Sequence, residues 1–362
     1  MRKLLCSLLA VVFLLVIATP SEAARFKDVK ESHSLQLEIE YLAAQKIISG
    51  YEDNTFKPNN KIVKKHIASM LVKALELPTT NLENPGYKDV PMSHPYYKEI
   101  AAAYTAGIFG KAEYFKPEST ISRAFMAKIL VNAFDLEGTD EEIDFVDVKK
   151  SSSYYTPIQI VASNNITQGS KDQNYNYYFE PNKTLTRAHF SAFLARAMTL
   201  MTGNYKPDRA YNYYYLTHEG TVTVGQYTYE EDGVDYWDMY DLDTGELLYP
   251  YVYLISNAKW VQGIAQSDAG YFATYPFTIG VKFDALGENS PDGRLRILDT
   301  NATVTIEGTI YRNVVVIEQA YGSKSDFTTI RVYVAEDYGI VGIQNDFGGS
   351  SYHWTYKLLY RE

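Results

Sequence analysis

Cysteine is nearly absent from this 362-residue chain, with Cys6 the only one. A single thiol excludes a disulfide scaffold and a cysteine-built zinc site, so stability must come from core burial. Cations are in deficit, at 34 Lys plus Arg against 44 Asp plus Glu, and the net charge of −10 argues against a nucleic-acid partner. Beyond the first two dozen residues no long apolar run occurs, so no membrane span is expected in the mature chain. The signatures of common chemistries are missing too: no zincin helix, nucleophile elbow, phosphate loop or dinucleotide fingerprint. Tryptophan is scarce at 3 residues, whereas tyrosine reaches 33. Tyrosine in that proportion suits half-wetted β-sheet and extracellular binding surfaces. The apolar share of 46% is that of a folded chain, and the length calls for more than one domain.

The first residues have the layout of an export signal. Arg2 and Lys3 precede an apolar run over 4–17 interrupted only by Ser7, and Ser21-Glu22-Ala23 offers the small residues a signal peptidase reads. A secretory signal over 1–23 is expected, because the run is shorter than the roughly 20 residues a membrane anchor needs. Cys6 lies inside it, which leaves the mature chain without a thiol.

Three landmarks then recur in order. Phe26-Lys27-Asp28-Val29 returns as Tyr87-Lys88-Asp89-Val90 and Phe145-Val146-Asp147-Val148. Phe56-Lys57-Pro58 returns as Phe115-Lys116-Pro117 and Phe179-Glu180-Pro181. Ile62-Val63-Lys64-Lys65 returns as Ile121-Ser122-Arg123-Ala124 and Leu185-Thr186-Arg187-Ala188. Between them, apolar residues at helical spacing predict two helices per unit, for example Leu35, Ile39 and Leu42, then Ile67, Leu71 and Leu75. Gly50 is expected to stop the first helix, and the Phe-x-Pro step to be extended. A single helix pair cannot bury its apolar face, so the three must pack together.

These units resemble S-layer homology domains, whose pattern runs roughly F-x-D-V, a first helix with Trp, G-Y-x-D-G-T-F-x-P, then I-T-R-A-E. The stretch Ile48-Ser49-Gly50-Tyr51-Glu52-Asp53-Asn54-Thr55-Phe56-Lys57-Pro58 carries the likeness most fully. The resemblance covers about residues 25–201 and implies units over 25–80, 86–138 and 144–201 in a pseudo-threefold helical assembly. It also implies an exported bacterial cell-surface protein that binds a secondary cell-wall polysaccharide bearing a pyruvate ketal, in grooves between repeats. The groove residues it points to are Arg123, Arg187, Lys64, Asp28, Asp89, Asp147, Gly50, Gly110 and Gly169.

Helix chemistry gives part of this a physical reading. Ser122 and Thr186 are N-caps. A cation in the first turn opposes the helix dipole, and an anion shared by the guanidinium and the helix N-terminus would justify it. Lys64 keeps the charge but lacks the bidentate fork, so its groove should be weaker. Two departures from the pattern matter. The Glu of I-T-R-A-E is replaced by His66, Phe125 and His189, and the Trp position holds Ser34, Pro95 and Ser153, with Tyr96, Tyr97, Tyr154 and Tyr155 nearby as substitutes. Residues 173–178 are an insertion in the third unit, read either as a lengthened groove wall or as a polar surface loop.

After a linker over 202–210, residues 211–362 read as an antiparallel, curved or barrel-like β domain of roughly eight to eleven strands. Expected strands include Thr221-Val222-Thr223-Val224, residues 249–255, Phe277-Thr278-Ile279-Gly280-Val281, and residues 302–307, 311–318, 329–335 and 340–344. Asp243-Thr244-Gly245-Glu246 and Asp292-Gly293 read as hairpin turns. The acids Asp238, Asp241, Asp243 and Glu246 fit a solvated turn better than a calcium loop. His218 and His353 are isolated, and Trp237, Trp260 and Trp354 are read as core. Residues 203–362 hold 11 Lys plus Arg against 22 Asp plus Glu, a net −11, so the acidity belongs to this half. No catalytic residue, metal ligand or cofactor is assigned. A wall-anchored hydrolase with its site in the β domain and a lattice component are the alternatives to a plain anchor.

Overall fold

The computed structural model describes residues 26–30, 32–139, 142–255, 259–265, 270–283, 294–321, 328–346 and 351–362. The export signal and the Asp292-Gly293 turn lie outside the described residues. The first half is helical, with α1 Gln36–Ala44 and α2 Lys64–Ala74 in the first repeat. The second repeat has α3 Tyr97–Thr105 and α4 Arg123–Phe134, and the third α5 Tyr155–Ser163 and α6 Arg187–Met198. Packing does not stay within a repeat. α2 lies on α3, α4 on α5 and α6 on α1, so the chain closes a three-membered ring around a shared core. Phe56, Phe115 and Phe179, one per repeat, are buried in that core.

Two local expectations are corrected. The first helices do not stop at Gly50. They end in a left-handed residue at Lys46, Gly107 and Asn165, with φ of 59°, 76° and 58°. The next amide folds back in each case, as Ile47 N–H donates to Leu42 O at 3.0 Å. Gly50 is needed for space instead, since an added Cβ would lie 2.7 Å from the Phe26 ring. The residue before each proline is not extended either: Lys57, Lys116 and Glu180 are left-handed, at φ of 58°, 58° and 59°. Each is held there by the aspartate of its own repeat. Asp28 accepts from Phe56 N–H and Lys57 N–H at 2.7 and 2.8 Å, and Asp89 and Asp147 repeat the clamp on their own loops. Two charge-assisted bonds outweigh the ~1–2 kcal/mol cost of a left-handed non-glycine residue.

The inserted stretch of the third repeat forms a small hairpin, β1 Ser170–Lys171 with β2 Tyr177–Tyr178. Asp172 ties its turn by accepting from Asn174 N–H and Asn176 N–H at 2.8 and 2.9 Å.

The second half is one antiparallel sheet. Its strands are β3 Tyr213–Thr217, β4 Val222–Glu231, β5 Val234–Asp241, β6 Leu247–Ile255, β7 Lys259–Ile264 and β8 Gly270–Thr274. They continue as β9 Lys282–Phe283, β10 Arg294–Ile306, β11 Thr309–Tyr321, β12 Thr328–Ala335, β13 Gly339–Asn345 and β14 His353–Arg361. The order is β8-β7-β6-β5-β4-β3-β14-β13-β12-β11-β10-β9, twelve strands among the described residues, one more than the expected range. The sheet stays open at β8 and β9 but curls until β10 nears β8 and β14, helped by three register shifts along β10 and β11. Its concave face carries Tyr213, Tyr215, Trp237, Met239, Tyr251, Tyr253 and Trp260, all buried.

Two segments that read as linker and strand fill that concavity. Tyr205, in the expected linker, is fully buried and its carbonyl accepts from Trp260 Nε1–H at 2.9 Å. Residues 277–281 are not a strand of the sheet. Phe277 exchanges both backbone bonds with Met201, at 2.8 and 3.0 Å, and its ring meets Tyr205 edge-on at 4.9 Å. The alternating pattern of 277–281 reflects burial on two sides, between the sheet and the helical ring. The Asp241 carboxylate, once a calcium candidate, is occupied within its turn by Asp243 N–H and Thr244 N–H at 3.0 and 2.9 Å.

Candidate binding grooves at the repeat seams

Each second helix starts by leaning on the loop of the next repeat. Lys64 N–H donates to Ser119 O and Lys65 N–H to Pro117 O, at 3.0 and 3.1 Å. Arg123 N–H and Ala124 N–H donate to Lys183 O and Pro181 O, both at 3.0 Å. Arg187 N–H and Ala188 N–H donate to Asn60 O and Pro58 O, at 2.8 and 3.1 Å, which closes the ring. The caps complete the set: Ser122 Oγ accepts from Phe125 N–H and Thr186 Oγ1 from His189 N–H, both at 3.2 Å, while Val63 offers none. The first-turn amides expected to share an anion are therefore already bonded, and any anion must be met by side chains.

Those side chains cross the seams in the same cyclic order. Lys64 Nζ donates to Phe115 O at 2.5 Å, Arg123 Nε to Phe179 O at 2.7 Å, and Arg187 Nε to Phe56 O at 2.9 Å. Every accepting carbonyl belongs to a loop clamped by Asp89, Asp147 or Asp28. The six charged candidates thus come together as three pairs, one per seam. The aspartates meet their partners through the loop rather than by direct ion pairs. Burial pulls the Lys64, Arg123 and Arg187 cations down from their ordinary values, and Asp89, Asp147 with Glu180, and Asp28 oppose that pull.

The three seams differ in what remains reachable. Arg123 is 8% exposed; its Nη2 donates to Thr167 Oγ1 at 3.0 Å and its guanidinium lies between the Phe179 and Phe193 rings. Gly169 leaves room for its own loop, because a Cβ there would sit 2.6 Å from Tyr178 O. Lys64 is half-buried, with its ammonium 4.2 Å from the Phe115 ring centre. Gly110 has open space around it, and its carbonyl accepts from the Tyr87 hydroxyl at 2.7 Å. Only the seam from repeat 3 to repeat 1 presents a half-buried arginine beside an exposed ring. There Arg187 lies 5.2 Å from the centre of Tyr51, which is 40% exposed, and Lys57 Nζ lies 4.0 Å from the same ring.

Sequence reasoning did not single out Tyr51, Lys57 or Thr167 as groove residues. Tyr51 and Lys57 stand in the quoted loop motif, and their cation–ring pairing was the signal available. Of the substitute aromatics, Tyr96 meets His66 edge-on at 5.6 Å and has the Lys65 ammonium 5.5 Å from its ring centre, whereas Tyr155 is bonded to Glu142. Ser34, Pro95 and Ser153 are all exposed.

The clamp can be tested on its own. Asp28→Ala removes two charge-assisted bonds at once and should cost about 2–4 kcal/mol of stability in urea unfolding. Asp28→Asn keeps an acceptor and should cost less.

The S-layer homology domain model matches residues 25–64, 86–127 and 144–191, one match per repeat. The Surface-layer 125 kDa protein of Lysinibacillus sphaericus is 30% identical over 195 residues, covering 52% of this chain and 16% of that protein. S-layer protein sap of Bacillus anthracis is 27% identical over 202 residues, covering 54% and 24%. An endoglucanase of Bacillus sp. (strain KSM-635) is 32% identical over 174 residues, covering 46% and 18%. The chain thus spans less than a quarter of the length of each of these relatives. No helix of the described residues is long and apolar enough to cross a membrane.

Proposed function

Because the chain is a cell-surface protein whose first half carries three S-layer homology domains, we propose that it holds to the wall by binding secondary cell-wall polysaccharide non-covalently. The ligand is a glycan bearing carboxylates of the pyruvate-ketal kind. The observation that supports this most is the repeat 3 to repeat 1 seam, where Arg187 and Lys57 flank the exposed face of Tyr51. A sugar ring stacks on such a face while a carboxylate meets the cations beside it. Asp28, Asp89 and Asp147 serve by fixing the groove walls, and Gly50 and Gly169 by leaving room for them. Lys64 and Arg123 mainly hold their seams closed.

The β domain is displayed outward and does not itself touch the polymer. Its net charge of −11 opposes contact with an anionic polymer. A hydrolytic site in it has less support. Two acids buried in its described residues, Asp235 and Glu318, are each held by two cations: Lys206 with Arg209, and Arg296 with Arg331. The cleft that Asp235 shares with Asp208 is lined by Lys206 and Arg209 as well, whereas acid–base catalysis needs carboxyls left free for substrate.

The test is sedimentation of the exported protein with purified walls, before and after the secondary polymer is stripped. Retention should be lost on stripping. Retention that survives stripping would overturn the polysaccharide reading.

A further inference from the structure

Among the described residues, the helical ring and the β domain meet at the seam that closes the ring. Glu38 of α1 and Arg196 of α6 join repeat 1 to repeat 3. Glu38 Oε1 accepts from Arg196 Nη2 and Nε at 2.6 and 3.1 Å, and Glu38 is 0% exposed. The third face of this pair is covered by residues 275–281 from the β domain. A Cβ on Gly280, whose φ is +73°, would lie 2.3–2.8 Å from the Glu38 carboxylate. Ile279 is 3% exposed and belongs to the helical core, not to the sheet core. Thr278 Oγ1 donates to Arg196 O at 2.7 Å, and Ile279 N–H donates to Thr199 Oγ1 at 3.1 Å. Thr300 of β10 donates to Thr199 O at 2.9 Å, so the end of α6 is bonded from two parts of the β domain.

We propose that residues 275–281 are a positioning strap for the anchoring groove. By sealing the Glu38–Arg196 pair, the β domain fixes how α6 stands on α1. α6 begins with Arg187, and α1 leads into the loop of Tyr51 and Phe56. The same seam therefore carries the strap at one end of α6 and the groove at the other. Ordering of the strap sets the separation of Arg187 from Tyr51, and the anchor and the displayed domain act as one body. This rests on the polysaccharide reading only for its consequence in binding; the lock itself is independent of any ligand.

A close-packed interface transmits a local change rather than absorbing it, so loosening the strap shifts the whole seam. Gly280 is the residue to change. No side chain fits between its Cα and a buried carboxylate, and a positive φ disfavours any replacement.

The experiment uses the whole exported chain and two variants, Gly280→Ala and Thr278→Val. The second keeps the side-chain shape and removes only the bonds to Arg196 and Thr199, so it serves if the first fails to fold. Hydrogen exchange is read on α1, α6, α3 and β13, and binding of purified secondary polymer on the same samples. Exchange should rise at least about tenfold in α1 and α6 and stay unchanged in α3 and β13. Polymer affinity should fall at least about fivefold, a loss a merely local defect would not produce. Unchanged exchange in α1 and α6 overturns the strap. Faster exchange with unaltered affinity overturns its positioning role. If the unmodified chain binds no polymer, the anchoring reading fails, and the exchange result alone still decides whether the strap locks the seam.

Discussion

Arg187→Ala should lower the affinity for secondary wall polymer by about 10- to 100-fold, the value of one or two charge-assisted contacts. Arg123→Ala should change affinity by less than about threefold. Both residues occupy the same motif position, so the contrast comes from the fold. Arg187 has one nitrogen on Phe56 O and another 3.4 Å from Ser49 O, and the rest of its fork faces the exposed Tyr51 ring. Arg123 is enclosed between Phe179 and Phe193 and bonds Thr167, which is itself buried. Its removal strands the Phe179 carbonyl, leaves the Thr167 hydroxyl only its bond from Gly169 N–H at 3.3 Å, and should cost about 1–3 kcal/mol of stability instead. Lys64→Ala belongs with Arg123, since its ammonium is spent on Phe115 O. Equilibrium dialysis with the purified polymer, beside urea unfolding, separates the two effects. A loss of affinity in Arg123→Ala equal to that in Arg187→Ala would reverse this ranking of the grooves.

The ring was legible because each repeat states it three times. The aspartate, the Phe-x-Pro step and the first-turn cation recur in order: the aspartate clamps its own loop, and the cation of the preceding repeat in the ring bonds that loop across the seam. What the pattern could not convey is exposure. Arg123 and Arg187 look alike in sequence, and the difference lies in what each meets: Phe179, Phe193 and Thr167 enclose Arg123, whereas Arg187 faces the part-exposed Tyr51 ring. The aspartates read as ligands because an exposed acid and a loop clamp have the same spacing. In the second half, the strands that escaped notice have mixed faces. Along β5, Asp235 shares the inward side with Trp237 and Met239, while Tyr236, Asp238 and Tyr240 alternate with them. An acid inside and tyrosines outside cancel the period-two signal. The linker and residues 277–281 depart from their sequence expectation for a related reason. Both are irregular backbone that carries core residues, and composition alone does not separate a plug from a connector or a strand.

Tyrosine gives the β domain a particular weakness: it should unfold in alkali before the helical ring does, across a window opening at pH 10. Burial raises the Tyr215, Tyr251 and Tyr356 hydroxyls well above the ordinary value, and Tyr311 is pushed up to about 12. Below pH 10 these groups are protonated in both folded and unfolded chains, and their contribution to stability is complete. Above it the unfolded chain releases protons that the folded chain retains, so stability falls as pH rises toward the folded values. Each of these raised hydroxyls then withdraws about 1.4 kcal/mol per pH unit, and Tyr215 and Tyr251, the two fully buried ones, together about 3, against a total of about 5–15 for a domain. Loss of the sheet's circular-dichroism band should coincide with a step in tyrosinate absorbance between about pH 11 and 12. Because residues 275–281 leave with the sheet, α1 and α6 should begin to exchange at the same pH, while α3 stays protected longer. Tyr251→Phe isolates the cause. The Tyr251 hydroxyl is buried with no hydrogen-bond partner among the described residues, so removing it leaves none of them unpaired and takes away one ionisable group. The alkaline midpoint should move upward in that variant. A midpoint that stays in place or falls would mean that buried tyrosines do not set the limit.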